Sequence, residues 1–274
     1  MIEEVRAFDG GYCRQLLALI DRRTWRMVKF HAVFLALRHR SEGWVLVDTG
    51  YGGRFAAATQ RFPRRLYRWA TPMKDGGSTT ALLEAEGIRA AEIRHVIVTH
   101  FHGDHAGGLA EFPQATIHHR ADALGPLMGL SAWRQTKAAF LPGLVPEWLP
   151  ERARPIAPEA FCEDADLPFP EHDLFGDGSV RLLDLPGHAA GQVGVAFAVG
   201  GRRELYAADA FWRRSQIVGD MEPLAPAMAL QWDATAYRQT IGRLREVARA
   251  GVYRLTACHD EGTLAQWRRS GMKP

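Results

Sequence analysis

The stretch HVIVTHFHGDHAGG, His95 to Gly108, joins an apolar, β-branched run to a knot of three histidines and one aspartate. The run HVIVT is too short and too rich in valine and isoleucine for a helix, so it reads as a buried strand with the polar residues just past its end. Along an extended chain, residues two apart point the same way. His100 and His102 can therefore converge on one ion, while a turn at Gly103 redirects the backbone and lets Asp104 and His105 face a second. Gly103 suits a place where a Cβ would clash. Neutral imidazole and carboxylate are preferred donors for zinc and similar metals. One His-x-His recurs by chance, but three histidines and an aspartate at this spacing behind a strand point to metal rather than to hydrogen-bonded surface side chains.

Four donors cannot complete two sites, so further ligands must come from elsewhere in the chain. His188 follows the strand-like LLDL in PGHAAGQ, Asp209 ends ELYAAD, and His259 ends VYRLTA. Each stands in a loop after an expected strand, where side chains from different strands can meet. MVKFHAVFLALRH (Met27 to His39) and GWVLVD (Gly43 to Asp48) read as a hairpin. SVRLLDL (179–185) and VGVAFAV (193–199) are further strands, the latter turning into ELYAAD across Gly200 and Gly201. Ser78 or Thr79 caps a helix that stops at Gly87. Asp233 caps a longer one, whose Tyr237, Ile241, Leu244, Val247 and Ala248 recur at helical spacing up to Gly251.

From about 125 to 178 the rhythm breaks into prolines and aromatics, including Trp133, Trp148, Phe161 and Phe169. This segment reads as a helical insertion with a small core of its own, placed to cover the site. His31 and His39, in or beside the first hairpin, lack a partner at ligand spacing and read as ordinary strand residues.

Bulk properties narrow the function. A chain of 274 residues with 47% hydrophobic and 24% charged residues is an ordinary globular sequence, read here as one domain over 1–274. The net charge of +3 comes from interspersed lysines and arginines, and no basic stripe suggests nucleic acid. The one basic cluster, Arg61, Arg64, Arg65 and Arg68, reads as a solvated helix face. Cys13, Cys162 and Cys258 are isolated, which disfavours a disulfide framework or a cysteine-only zinc site and suits a reducing compartment. Neither a signal peptide nor a membrane span is legible, so a cytoplasmic location is expected. The expected partner is a small-molecule substrate, without nucleic acid or membrane, and a homodimer is compatible with the sequence.

The motif THFHGDHAGG, followed by PGH, an aspartate after an apolar strand and a late His-Asp, resembles the metallo-β-lactamase superfamily from about WVLVDTG to ACHD. The resemblance implies a four-layer αββα sandwich with the metals along one edge. Carried over by position, it puts His100, His102 and His188 on one metal and Asp104, His105 and His259 on the other, with Asp209 bridging. Asp48 is implied as a support for the ligand loop, and His118 and His119 fall outside the ligand set. Two divalent ions, zinc by preference with manganese, iron or cobalt as alternatives, would share a water and ionise it near neutral pH. Asp104 or Asp209 would handle the proton.

Within the superfamily the chain looks most like the N-acyl homoserine lactonases. It departs from them in two places: Trp212 stands where they usually carry a tyrosine, and Gln192 replaces the second histidine of a P-G-H-x-x-G-H motif. Indole is a donor only and suits that task less well; the expected reaction is opening of a lactone or cleavage of another carboxylic ester or thioester. Trp212, Trp133 and Trp148 are the candidate apolar wall of the substrate pocket, with Trp232 beside them, and Arg213 and Arg214 are expected in solvent. The competing functions are a phosphodiesterase on the same metals, an oxidoreductase with a single iron acting on sulfur compounds, and a non-catalytic sensor. The complete ligand set argues against the last two.

Overall fold

Why the middle of each hairpin segment, residues 32–37 and 44–47, is apolar without alternation is answered by burial on both faces. The computed structural model describes residues 1–163, 166–219 and 221–269. One sheet contains β1 (Ile2–Leu16), β2 (Met27–His39), β3 (Gly43–Val47), β4 (Met73–Asp75), β5 (Ile93–Ile97), β6 (Thr116–Arg120) and β7 (Ala153–Ile156), in the order β4-β1-β2-β3-β5-β6-β7. The other contains β8 (Cys162–Glu163), β9 (Pro170–Asp173), β10 (Val180–Asp184), β11 (Val193–Val199), β12 (Arg202–Tyr206) and β13 (Tyr253–Thr256), in the order β13-β12-β11-β10-β9-β8.

Side chains two apart in a strand share a face, and the packing follows that rule. Val33, Leu35, Leu37, Val45 and Val47 of the first sheet meet Val180, Leu182, Val193, Val195 and Phe197 of the second in one core between the sheets. The intervening Phe34, Ala36, Trp44 and Leu46 point outward and pack with Leu83 of the helix Thr79–Ala85. Outside the second sheet, Leu183, Ala196 and Leu205 pack with Tyr237, Ile241, Leu244 and Val247 of the helix Ala234–Ala250. Helix, sheet, sheet and helix thus form four layers of mixed α/β structure.

The caps are those the sequence indicates. Ser78 accepts from the Ala81 amide, Asp233 from those of Thr235 and Ala236, and Gly251 ends its helix in the left-handed region. No described helix is long and apolar enough to cross a membrane.

Three expectations need revision. β1 has no counterpart among the elements read from the sequence: its charges and Gly10-Gly11 hide it, and its register with β2 shifts between Asp9 and Tyr12. ELYAAD stops being strand at Tyr206, because Ala208 takes a left-handed backbone (φ 47°) to turn Asp209 into the site. The segment 125–178 is helical only in its first part, in the short helices Gly125–Met128, Ala132–Lys137 and Leu149–Arg152. It then supplies β7 to one sheet and β8 and β9 to the other. Nor does it build its own core: Leu149, Phe161 and Phe169 join the three existing ones.

Candidate metal centre

Asp48, the 99–105 segment, His188, Asp209 and His259 follow β3, β5, β10, β12 and β13 respectively, and all converge at one edge of the sandwich. Asp48 organises the histidine loop. Held in a left-handed conformation (φ 64°) and fully buried, it accepts from the Thr99 amide at 2.8 Å and the Thr99 hydroxyl at 2.9 Å, and pairs with His105 Nδ1 at 2.7 Å. The Thr49 amide and hydroxyl each donate to the His105 carbonyl at 2.8 Å. Close packing of this loop explains its glycines. A Cβ on Gly107 would lie 1.9 Å from the Tyr51 carbonyl oxygen, and one on Gly103 2.8 Å from the Phe55 ring.

Two groups of donor atoms result, each with its members within 4.8 Å of one another: His100, His102 and His188, and His105, Asp209, Cys258 and His259. Asp209 lies between them, its Oδ2 3.4 Å from His188 Nε2 and 2.9 Å from His259 Nε2, its Oδ1 3.4 Å from His105 Nε2. Asp104 approaches the second group, with Oδ2 3.5 Å from His259 Nε2 and 3.8 Å from His105 Nε2. All seven expected side chains therefore meet in one place.

The ring nitrogens facing away from this centre are held by the protein. His188 Nδ1 meets Gln231 Oε1 at 2.9 Å, His259 Nδ1 the His31 carbonyl at 2.7 Å, and His100 Nδ1 the Thr99 hydroxyl at 3.1 Å. Such outer contacts fix tautomer and ring orientation in metal sites. Facing inward, His100 Nε2, His105 Nε2 and Asp209 Oδ1 are buried with no hydrogen-bond partner. Leaving a buried polar atom unsatisfied costs about 1–3 kcal/mol. Unpartnered donors in both groups fit cations that accept their lone pairs.

The electrostatics differ between the two groups. Burial pushes the His100 and His102 imidazoles well below their ordinary pKa and lowers His188 as well, so all three offer neutral nitrogens. Burial acts the same way on His105 and His259, but the carboxylates of Asp48 beside the first and Asp209 beside the second outweigh it and hold both well above the usual range. Burial alone would raise Asp209; His259 and His105 overcome that and keep its carboxyl well below the ordinary value.

Over the centre opens a cavity of about 500 Å³ bordered by His102, Asp104, His188, Asp209 and His259. Trp133 and Trp212 line it, together with Phe30, Leu19 and Ala227. Trp148 does not: it precedes the helix Leu149–Arg152 and packs against the core that contains Phe101 and Leu149. Trp212 also does more than form a wall, since its indole Nε1 donates to Asp209 Oδ2 at 3.2 Å. Arg213 is not in solvent either. It is buried, and it donates to the His259 carbonyl at 3.2 Å and lies over the Phe30 ring.

Several site residues have no clear mark in the sequence. Tyr51 and Tyr67 line the cavity as buried phenols whose pKa burial raises well above the usual value. The first sits inside DTGYGG and the second inside the basic RRLYR, where Tyr67 turns inward although Arg65 and Arg68 do not. Cys258 is hidden by looking isolated, and only its adjacency to His259 signals it. Its thiol donates to the carbonyls of His31 and Val33 at 3.5 Å.

Comparison with known proteins gives a consistent picture. Residues 30–250 match the family model of the metallo-beta-lactamase superfamily; His259 lies just beyond them. A probable metallo-hydrolase of Mycobacterium tuberculosis is 32% identical over 65% of this chain and 56% of its own length. Acyl-coenzyme A thioesterase MBLAC2 of Homo sapiens is 28% identical over 56% of this chain and 50% of its own. The chain thus spans about half the length of the curated relatives it matches. Among solved structures, a variant of AiiA from B. thuringiensis with N-decanoyl-L-homoserine at its active site superposes with a TM-score of 0.73 at 16% identity, covering 97% of this chain and 96% of that one. AidC, a dizinc quorum-quenching lactonase, gives 0.67 at 15% identity, covering 95% and 89%.

Proposed function

This chain belongs to the metallo-beta-lactamase superfamily, and from that premise we propose that it is a two-metal hydrolase of carboxylic esters and thioesters, lactones included as cyclic esters. The observation that carries the reading is the set of buried, unpartnered donors, His100 Nε2 in one donor group and His105 Nε2 and Asp209 Oδ1 in the other. His100, His102 and His188 would hold one divalent cation, Asp104, His105 and His259 the other, with Asp209 between them. Zinc is the first choice, with manganese, iron and cobalt tolerated by the same donors. When bound, such a pair supplies Lewis acidity and brings the pKa of water toward about 7.

The protein's own groups do the rest. Asp48, Gln231 and the His31 carbonyl keep the imidazoles aimed, and Trp212 holds the Asp209 carboxylate. Asp104 borders the cavity; it takes a proton from the attacking water and returns it to the departing oxygen or sulfur. Because the Trp212 N–H is committed to Asp209, that position does not polarise the substrate carbonyl as the lactonases' tyrosine would. The apolar cavity wall excludes water from an acyl chain. Its one lysine or arginine among the described residues is Lys137, which favours an acyl substrate over a phosphodiester. Acyl-coenzyme A thioesterase among the relatives and acyl homoserine lactonases among the structural neighbours agree with a carbonyl centre.

The test is a panel of lactones, aryl esters, thioesters, phosphodiesters and β-lactams on zinc- or manganese-loaded protein, with elemental analysis of the same sample. Two ions per chain and turnover of a lactone, ester or thioester are expected. Activity confined to phosphodiesters, or one iron per chain with oxygen uptake on a persulfide, would replace this reading.

A further inference from the structure

A second cavity, of about 320 Å³, lies against the same histidines. It shares His102, His188, Lys137 and Leu230 with the larger one, so the two adjoin along one wall of the metal centre. Their linings differ in kind. The larger is mostly apolar and carries its carboxylates only at the centre itself. The smaller has an apolar floor that includes Leu127, Leu130, Ala189 and Ala190, and its charged lining residues are Arg134 and Lys137. No carboxylate is among them.

Both cations come from the helix Ala132–Lys137, three residues apart and therefore on one side of it. Both side chains are exposed, and neither forms an ion pair with a carboxylate among the described residues. A concave site lined by charge of one sign raises the local concentration of the opposite charge. Here that charge must be negative and must sit across His102 and His188 from the apolar cavity.

We propose that the two cavities divide a substrate at its scissile bond. The acyl chain occupies the larger one, and the alcohol or thiol leaving group lies in the smaller, carrying a carboxylate or phosphate that Lys137 and Arg134 bind. This rests on the ester and thioester hydrolysis assigned above. In the reaction the oxygen of water bonds to the acyl carbon as the C–O or C–S bond breaks, and the departing atom leaves with a proton. The products are a carboxylic acid and an anionic alcohol or thiol. Lys137 and Arg134 are specificity residues, remote from the bond that breaks.

Three hexanoyl thioesters test this, built on 2-mercaptoethanol, 3-mercaptopropionate and 2-mercaptoethyl phosphate: neutral, carboxylate and phosphate versions of one leaving group. Two partly exposed ion pairs are worth roughly tenfold together, so kcat/KM for the anionic thioesters should exceed the neutral one by about that factor, mainly through KM. The ratio should collapse in the double variant Arg134→Gln/Lys137→Gln, shrink with added salt, and return in Lys137→Arg on the Arg134→Gln background. Preference for both anions indicates recognition of charge; preference for phosphate alone narrows the leaving group. A ratio near one, or one that the double variant leaves unchanged, overturns the proposal.

Binding of the corresponding hexanamides, nitrogen replacing sulfur, to the zinc-loaded protein by calorimetry separates this inference from the one beneath it. A preference for the anionic amides that depends on Lys137 and Arg134, without turnover of any thioester, sinks the hydrolase and leaves the anion site standing. Equal affinity for neutral and anionic amides sinks the anion site.

Discussion

Two histidine clusters lie along β5, one past its end and one within it, and they use their nitrogens differently. At the edge following β5, five imidazoles gather around Asp209; the inward nitrogens of His100 and His105 are unpartnered, and the outward nitrogens of His105, His188, His100 and His259 are held by Asp48, Gln231, Thr99 and the His31 carbonyl. Earlier in the same strand, His95 Nδ1 meets His118 Nε2 on β6 at 3.0 Å, while its other nitrogen lies 3.5 Å from Glu42. His39, nearby around the Phe175 ring, bonds Ser179 Oγ at 2.8 Å. The second cluster spends its nitrogens on neighbours inside the fold. Histidine density is thus a poor sign of metal, whereas buried donors left without partners are a good one.

The severest test of that contrast is Asp209→Asn. The amide keeps the shape but loses the charge that couples the two donor groups, so a fall of about 10³-fold or more in kcat is expected for any substrate found, by analogy with loss of a main electrostatic group. Metal content by elemental analysis should drop from two ions toward one. His118→Gln, in the other cluster, should leave the metal content intact. Equal metal loss in both variants would erase the distinction.

Asp48→Asn comes next. Asp48 touches no cation in this assignment, yet it orients His105 and ties Thr99 to the loop, and supports of this kind typically contribute 10–100-fold in metal affinity. Competition against a chelator should show a weakening of about that size in a variant that still folds. Unchanged affinity would mean that the loop is held by packing alone.

How far these regions were legible in the sequence follows the range of the forces involved. His100 to His105 lie within one turn of chain, so spacing exposes them. His188, Asp209 and His259 are separated by tens of residues, but each follows a short stretch that reads as a strand, and that context gives them away. Tyr51, Tyr67 and Gln231 carry no such mark: they are placed by how loops fold over one another, a tertiary property that no local period encodes. β1 failed for a related reason, since a 15-residue strand broken by Gly10-Gly11 and a register shift has neither strict alternation nor an apolar run. Trp148 was misplaced because an aromatic in a proline-rich segment suits a core as well as a cavity.

The second cluster yields a pH prediction. Burial, with His95 alongside, lowers His118 from the ordinary imidazole value to about 3. Between about pH 6.5 and 3 the unfolded chain therefore carries a proton that the folded chain refuses. Stability is full above pH 6.5 and falls as the pH drops through that window, by on the order of 3 kcal/mol at pH 4. Urea denaturation of the metal-free protein from pH 7 to pH 4 should show this loss added to that from His100, His102 and His188, which burial also lowers, and His118→Gln should remove the His118 share. Parallel curves for the two proteins would move the acid sensitivity elsewhere.

The smallest expected effect concerns Trp212, which belongs to the metal edge without serving as a ligand. Trp212→Phe keeps an aromatic wall and removes the donor to Asp209 Oδ2. A hydrogen bond to a charged acceptor contributes about 1.5 kcal/mol or somewhat more, and only the part of it felt in the transition state reaches the rate. A fall in kcat/KM of roughly tenfold or less is therefore expected, with metal content unchanged. Trp212→Tyr is the sharper variant, because a phenol can donate to a substrate carbonyl where this indole is already engaged. Its kcat/KM for a lactone relative to a thioester should rise above that of the parent. A ratio that stays fixed while both rates fall would reduce Trp212 to a support for Asp209, placing its contribution with the clamps around the imidazoles rather than with substrate choice.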